Sequence, residues 1–214
     1  MYKSSHDIRG PLKSIIGLAN ISIAEKDKSK LNEYLELIKQ CANSLDKTVN
    51  DILEIGKINH VSEYDKELIK FEKMISDIKT ELLAGQEIAF DIKVNNSESL
   101  TFHSVTSLLK SIFQNLIENA IRYRDTGKEY CYLNIDISET QGGVEIKFSD
   151  NGIGMDDITM NKVFDMFYRH KNDNSGTGLG LYIVKLSVEK LGGKISVKSS
   201  FGIGTTFIIV LKNE

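Results

Sequence analysis

Three polar side chains fall on one line of a single segment. In Leu108–Tyr123 (LLKSIFQNLIENAIRY), Asn115, Asn119 and Arg122 stand at i, i+4 and i+7, so on a helix they stack along one stripe. Two carboxamides and a guanidinium so aligned can offer an oxygen to a metal ion and a clamp to a phosphate. The opposite arc carries Leu109, Ile112, Phe113, Leu116, Ile117, Ala120 and Ile121. An ordinary amphipathic helix with a solvated face shows the same pattern, so this stripe decides nothing by itself. Its neighbours add weight. Val144–Ser149 reads as a strand running into Asp150-Asn-Gly-Ile-Gly-Met155. A carboxylate at a strand end can accept from an exocyclic amine such as adenine's, and Gly152 and Gly154 let the backbone approach a flat ring. Gly176-Thr-Gly-Leu-Gly180 opens a helix near Leu181. Glycines at a helix N-terminus present N–H groups and the positive dipole end to phosphate. Ahead of that loop, Phe164, Phe167, Tyr168 and Arg169 precede His170–Ser175, a polar stretch with the composition of a mobile lid. Gly202-Ile-Gly-Thr-Thr206 supplies one more glycine turn. No G-x-x-x-x-G-K-[ST] loop is present, and the G-x-G-x-G of Gly176–Gly180 lacks the βαβ frame of a dinucleotide site.

A histidine near the amino end is the candidate nucleophile. Ile8, Leu12, Ile15 and Ala19 define the apolar stripe of a first helix. His6 falls roughly 160° from that stripe by helical-wheel arithmetic and is predicted to face solvent. Asp7 follows it directly. A neutral imidazole is nucleophilic near pH 7, and a carboxylate can hold its tautomer by accepting from one ring nitrogen. Most exposed histidines near a chain end do no chemistry, but Gly10-Pro11 adds a predicted bend just after His6. His60, His103 and His170 have no such setting.

The elements that must hold these groups divide near residue 60. Leu31, Leu35, Ile38, Ala42, Leu45, Val49, Ile52 and Gly56 alternate steps of four and three, the rhythm of a helix packed along another helix. Glu25–Lys30 reads as the turn between the two helices of a hairpin. Two helices leave too much apolar stripe uncovered, so a second copy should complete a dimeric four-helix bundle. Residues 57–67 form the connector, giving a hairpin over 1–60 and an α+β layer domain over 61–214. In the latter, strands are expected at Leu68–Phe71, Ile88–Val94, Tyr130–Ile137, Val144–Ser149, Lys194–Ser199 and Thr206–Leu211. Helices are expected at about 73–84, 104–123, 157–168 and 179–191.

Composition narrows the class without naming a function. The chain has 214 residues, 41% hydrophobic and 27% charged, with a formal net charge of -3. That near-neutral balance gives no whole-surface attraction for nucleic acid or a membrane. Two cysteines, Cys41 and Cys131, make no disulfide framework and no metal-ligand spacing, which points to a reducing, cytoplasmic setting. The apolar runs are too short for a bilayer span or a secretory signal.

Taken together, the segments resemble the sensor histidine kinases of two-component signalling over nearly the whole chain. His6–Leu12 resembles the H box, Asn115–Tyr123 the N box and Asp150–Met155 the first G box. Val163–Arg169 resembles the F box and Gly176–Leu181 the second G box. The resemblance implies a helical hairpin for dimerisation and phosphoacceptance. It is followed by the α/β sandwich shared with gyrase, heat-shock chaperone and mismatch-repair ATPases (the GHKL type), a mixed sheet with helices on one face. It implies that ATP phosphorylates His6, with Asp7 orienting the ring. Asn119 would ligate Mg²⁺ with Asn115 in support, Arg122 and Arg169 would contact phosphates, and Tyr123 would pack near the nucleotide. Asp150, Gly152 and Gly154 would bind the adenine, and Gly176, Thr177, Gly178, Leu179 and Gly180 the phosphates. The implied partners are a second copy of the chain and the receiver domain of a response regulator, with a membrane sensor able to precede the core in a longer parent.

Two departures bear on this reading. Gly10 stands four residues after His6, where the family often has Thr or Asn to position a hydrolytic water, so phosphatase activity is expected to be weak. His6 also lies very near the start, which suits the core of a longer receptor. Two other classes compete. An ATPase of the same superfamily would place a glutamate where Asn115 stands, and Glu118 is off the centre of that stripe. A dimeric scaffold that binds nucleotide without turnover is disfavoured by the presence of Asn119, Asp150 and both glycine boxes.

Overall fold

The computed structural model describes residues 2–61, 66–84, 89–96, 100–169 and 176–213, and the side chains from residue 8 onward. The orientation expected of the His6 and Asp7 side chains, and the His170–Ser175 lid, lie outside the described residues.

Two long helices form the amino-terminal hairpin: α1 (Tyr2–Ala24), assigned continuously through Pro11, and α2 (Lys28–Ile58). The turn is only residues 25–27, tighter than the Glu25–Lys30 expectation, because Asp27 caps α2 by accepting from the Ser29 N–H at 2.8 Å. The facing sides of the helices hold half-buried Ile8, Ile15, Leu18, Leu31, Ile38 and Leu45. Leu12, Ile16, Leu35, Val49 and Leu53 stay exposed on the single chain. At 31 residues α2 is long, yet no helix among the described residues is long and apolar enough to cross a membrane.

The second region is built on a five-stranded sheet. Its strands are β2 (Phe90–Asn96), β4 (Cys131–Thr140), β5 (Gly143–Asp150), β6 (Lys194–Ser200) and β7 (Gly204–Lys212), in the order β2-β4-β5-β7-β6. β2 and β4 run parallel and every other pair antiparallel, so the sheet is mixed. A small separate ladder joins β1 (Lys66–Leu68) to β3 (His103–Val105). Helices α3 (Phe71–Leu83), α4 (Thr106–Arg122) and α6 (Gly180–Lys190) share one continuous core with the sheet. Alternation along β4 turns Leu133, Ile135 and Ile137 inward against α4, where Leu109, Ile112, Phe113 and Ile117 are fully buried. Phe113 and Phe148 meet edge to face with centroids 4.9 Å apart.

Three expected elements differ. The strand expected at Leu68–Phe71 sits earlier and shorter, at Lys66–Leu68, because Phe71 is buried as the first residue of α3. The helix expected from 104 begins at Thr106, its first residues having been taken by β3. The helix expected over 157–168 is a single turn, α5 (Asp157–Met160), followed by turns. Phe167 adopts φ 62°, a left-handed conformation that ends any helix and disfavours an aromatic residue. Its ring is buried with Leu179, Ile183 and Ile58, which holds it there.

Candidate active site

α4 supplies the floor of a cleft. Its apolar face enters the core, so Asn115, Asn119 and Arg122 turn outward along the opposite stripe and all three line the cleft. Asn115 Nδ2 donates to the Ser111 carbonyl at 3.0 Å, which fixes its rotamer. The buried Asn119 Nδ2 has no partner among the described residues. A buried amide N–H without a protein partner is a donor available to whatever occupies the cleft.

One wall is the turn after β5. Asp150 Oδ1 accepts from the Gly152 N–H at 2.8 Å and the Thr205 N–H at 3.3 Å, leaving its other oxygen uncommitted by these bonds. Burial pushes the Asp150 carboxyl up from its ordinary value, with those two N–H groups and the Lys128 cation pulling the other way. Gly154 has φ 67°, and a Cβ there would lie 2.0 Å from the Ser200 carbonyl oxygen. Only glycine allows this wall to close against the β6–β7 turn.

The other wall is the glycine loop into α6. Gly176, Thr177, Gly178 and Gly180 line the cleft with Tyr123 and Arg169. Arg169 donates to the Gly176 carbonyl at 3.1 Å, tying the segment before the loop to the loop itself. Gly178 has φ 71°, with a Cβ that would strike the Phe167 backbone at 2.8 Å. At Gly180 a Cβ would come within 2.6 Å of Asn115 Oδ1, so any side chain there would intrude between the helix N-terminus and the α4 stripe. Two expected residues stand apart from the cleft surface. Gly152 packs behind it, where a Cβ would meet the Tyr123 carbonyl oxygen at 2.4 Å. Leu179 is fully buried in the apolar cluster beneath α6.

The cleft also has members that the sequence did not disclose. Ile153, Met155, Phe201, Thr205 and Phe207 add apolar and hydroxyl surface around Asp150. More unexpectedly, the hairpin contributes Lys47 and Asp51 from α2. Lys47 pairs with Glu118 at 2.6 Å, and Asp51 Oδ2 accepts from the Thr177 hydroxyl at 2.5 Å. Burial raises the Asp51 carboxyl from its ordinary value, partly offset by the Thr177 bond and by Lys47. Below these contacts Ile52, Ile55 and Ile58 of α2 pack on Phe167, Leu179 and Ile183. Neither residue belongs to the heptad stripe of α2, so the pattern gave no hint of them.

The cleft fits a nucleotide. It joins a carboxylate among apolar side chains, a carboxamide N–H near Arg122 without a partner among the described residues, and a glycine cradle at a helix N-terminus. Residues 104–214 match the family model described as Histidine kinase-, DNA gyrase B-, and HSP90-like ATPase, and residues 3–61 match the His Kinase A (phospho-acceptor) domain. The hybrid signal transduction histidine kinase L of Dictyostelium discoideum is 31% identical across 97% of this chain and 13% of its own length. Histidine protein kinase SaeS of Staphylococcus aureus is 31% identical across 97% of this chain and 61% of its own length. The chain therefore spans less than two thirds of these relatives. The solved structure of Acinetobacter baumannii histidine kinase AdeS aligns over 98% of both chains with a TM-score of 0.74 at 19% identity, which shows a common fold.

Proposed function

The chain belongs to the sensor histidine kinases, and from that membership and its cleft we propose that it is the catalytic core of an autophosphorylating kinase. The observation that carries the proposal is the convergence of Asn115, Asn119, Arg122, Asp150 and the Gly176–Gly180 loop on one cleft. In the proposed reaction an imidazole nitrogen of His6 attacks the γ-phosphorus of ATP, the bond from that phosphorus to the β–γ bridging oxygen breaks, and ADP leaves. Asp7 orients the ring and accepts from its other nitrogen. Asp150 receives the adenine amine, while Gly154 lets its wall close on the β6–β7 turn and Gly152 supports that wall from behind, against the Tyr123 carbonyl. Arg122, Arg169 and the N–H groups from Gly176 to Gly180 hold the phosphates, with Thr177 and Leu179 setting that loop's shape and Tyr123 packing beside the nucleotide. Asn119, supported by Asn115, would hold Mg²⁺, which when bound neutralises phosphate charge.

The phosphoryl group then passes to an aspartate of a response-regulator receiver domain. The exposed stripe of Leu12, Ile16, Leu35, Val49 and Leu53 supports a homodimer through a four-helix bundle. A cytoplasmic location for this core agrees with its two unpaired cysteines. At Gly10 a Cβ would meet nothing within 4 Å, so Gly10→Thr is sterically free to test whether a side chain there adds phosphatase activity.

Incubation with γ-labelled ATP tests the proposal. Acid-labile, base-stable label is expected on the parent and absent from His6→Ala, while His6→Ala still binds ATP. Label retained on His6→Ala would overturn the assignment of the acceptor. ATP hydrolysis without any labelled protein would favour the ATPase reading instead, for which Glu118 is poorly placed because Lys47 already holds its carboxylate.

A further inference from the structure

Behind the adenine wall, one ammonium group is ringed by backbone oxygens. Lys128 follows α4 in the loop that leads to β4, where its own N–H donates to the Asp125 carbonyl at 3.0 Å. Its Nζ lies 2.7 Å from the carbonyl oxygen of Asn151 and 3.4 Å from that of Gly152. On the other side it lies 3.1 Å from the carbonyl oxygen of Gly202 and 3.2 Å from that of Ile203. Asp125 Oδ2 stands further off, at 3.8 Å. The first pair of oxygens belongs to the turn that carries Asp150, and the second to the β6–β7 turn that carries Phe201, both of which wall the cleft.

Carbonyl dipoles that converge on one point repel each other unless a cation sits among them. The lysine ammonium group suits the place, with three N–H donors to point among the oxygens. Other bonds join the same two turns: Gly202 N–H donates to the Ile153 carbonyl at 2.7 Å, Met155 N–H to Ser199 Oγ at 2.8 Å and Thr205 N–H to Asp150 Oδ1 at 3.3 Å, where the β5–β7 ladder ends. Among the described residues, Lys128 alone brings a positive charge to this junction and touches a carbonyl oxygen on both sides of it. Lys128 itself does not line the cleft, and its side chain is 30% exposed.

We infer that Lys128 is a positioning residue for the nucleotide: its ammonium group locks the Asp150 turn to the β6–β7 turn and so fixes the adenine wall. This rests on the nucleotide reading of the cleft. The positive charge also favours the ionised form of Asp150, the stronger acceptor for an amine. Because Lys128 acts at the adenine end, its loss weakens ATP and ADP by the same factor and leaves the rate at saturating ATP unchanged.

The experiment measures ATP and ADP dissociation constants by calorimetry, and the autophosphorylation rate at saturating ATP, for the parent, Lys128→Ala and Lys128→Arg. Lys128→Ala is expected to bind both nucleotides about tenfold more weakly, a factor in keeping with a partly solvated charge-assisted contact. Lys128→Arg, which keeps the cation, stays within about threefold of the parent on the same scale. Ammonium or potassium chloride restores much of the lost affinity of Lys128→Ala, tetramethylammonium chloride does not, and the parent responds to neither. A thermal melt of each variant separates loss of the wall from loss of the fold: if Lys128→Ala melts early, Lys128→Arg and the ammonium rescue decide. Equal dissociation constants in parent and Lys128→Ala would overturn the inference and leave the kinase reading standing. Loss of the saturated rate with unchanged affinity would also overturn it. A parent that binds no ATP would overturn the kinase reading itself.

Discussion

In the sheet domain Leu109, Ile112, Phe113 and Ile117 have no measurable exposure, whereas on the hairpin Leu35, Val49 and Leu53 remain 52%, 42% and 56% exposed. Both regions were built from apolar residues at helical spacing. What separates them is how many sides their elements must cover. α4 has one apolar arc and a sheet to lay it on, so the chain completes that core alone. α2 carries apolar residues toward α1 and toward open solvent, and one hairpin can cover only the first set. In the proposed reaction the region that finishes its own core binds the nucleotide, and the region left unfinished carries the acceptor histidine and would be completed by a second copy.

Truncating one leucine in each region gives the largest contrast. Leu109→Ala removes a fully buried side chain and is expected to cost about 3 kcal/mol of unfolding free energy in urea. Leu53→Ala is expected to change the same measurement by less than about 0.5 kcal/mol at low protein concentration. Its effect should appear instead in sedimentation, as weaker self-association of the proposed dimer. Equal losses of stability at the two positions would erase the distinction.

The next test lies inside the sheet domain, where the proposed adenine contact of Asp150 sets binding against folding. Its carboxyl is raised in the folded protein, chiefly by burial. A raised value means that the folded state holds the proton more tightly than the unfolded chain. The contribution to stability is therefore complete below the ordinary carboxylate value and lost as pH rises through the folded value. The proposed adenine recognition has the opposite need, because the ionised group accepts from the amine more strongly than the neutral acid does. ATP affinity measured by calorimetry should fall as pH is lowered into the range just above the ordinary carboxylate value, while the thermal midpoint gains from this group. Asp150→Asn at neutral pH should bind ATP at least about tenfold more weakly, the worth of one hydrogen bond to a charged group. It should unfold at no lower urea concentration than the parent. A variant that binds ATP like the parent would remove Asp150 from the adenine site.

These cases show which parts of the molecule were legible in the sequence. Asn115, Asn119 and Arg122 were readable because helical geometry forces residues at i, i+4 and i+7 onto one line, whatever surrounds them. The glycines at 154, 178 and 180 were readable because loss of a side chain leaves a visible mark. Lys128 left no mark, since its four carbonyl partners lie 23 to 75 residues away and carry no side-chain signature. The helix expected through residue 168 failed at Phe167, whose left-handed backbone is imposed by contacts with Leu179 and Ile183 that local spacing cannot express. Lys47 and Asp51 were hidden for a similar reason: on α2 alone they are two more charged residues, and only docking of the hairpin onto α6 makes them part of the cleft.

That docking supplies the smallest expected effect and the one that joins the two regions. Lys47 and Glu118 pair at 2.6 Å with side chains 43% and 24% exposed, so solvent screens part of their attraction. A double-mutant cycle with Lys47→Ala, Glu118→Ala and the combined variant, read from urea unfolding of the sheet domain, should give a coupling of about 0.5 to 1 kcal/mol. Raising the salt concentration should shrink it. The coupling reports more than one ion pair, because it exists only while α2 rests on α6 with Ile52, Ile55 and Ile58 against Phe167 and Leu179. A coupling of zero at low salt would remove this pair as a support for the docking, leaving the Asp51–Thr177 bond and the apolar contacts of Ile52, Ile55 and Ile58 to hold α2 on α6.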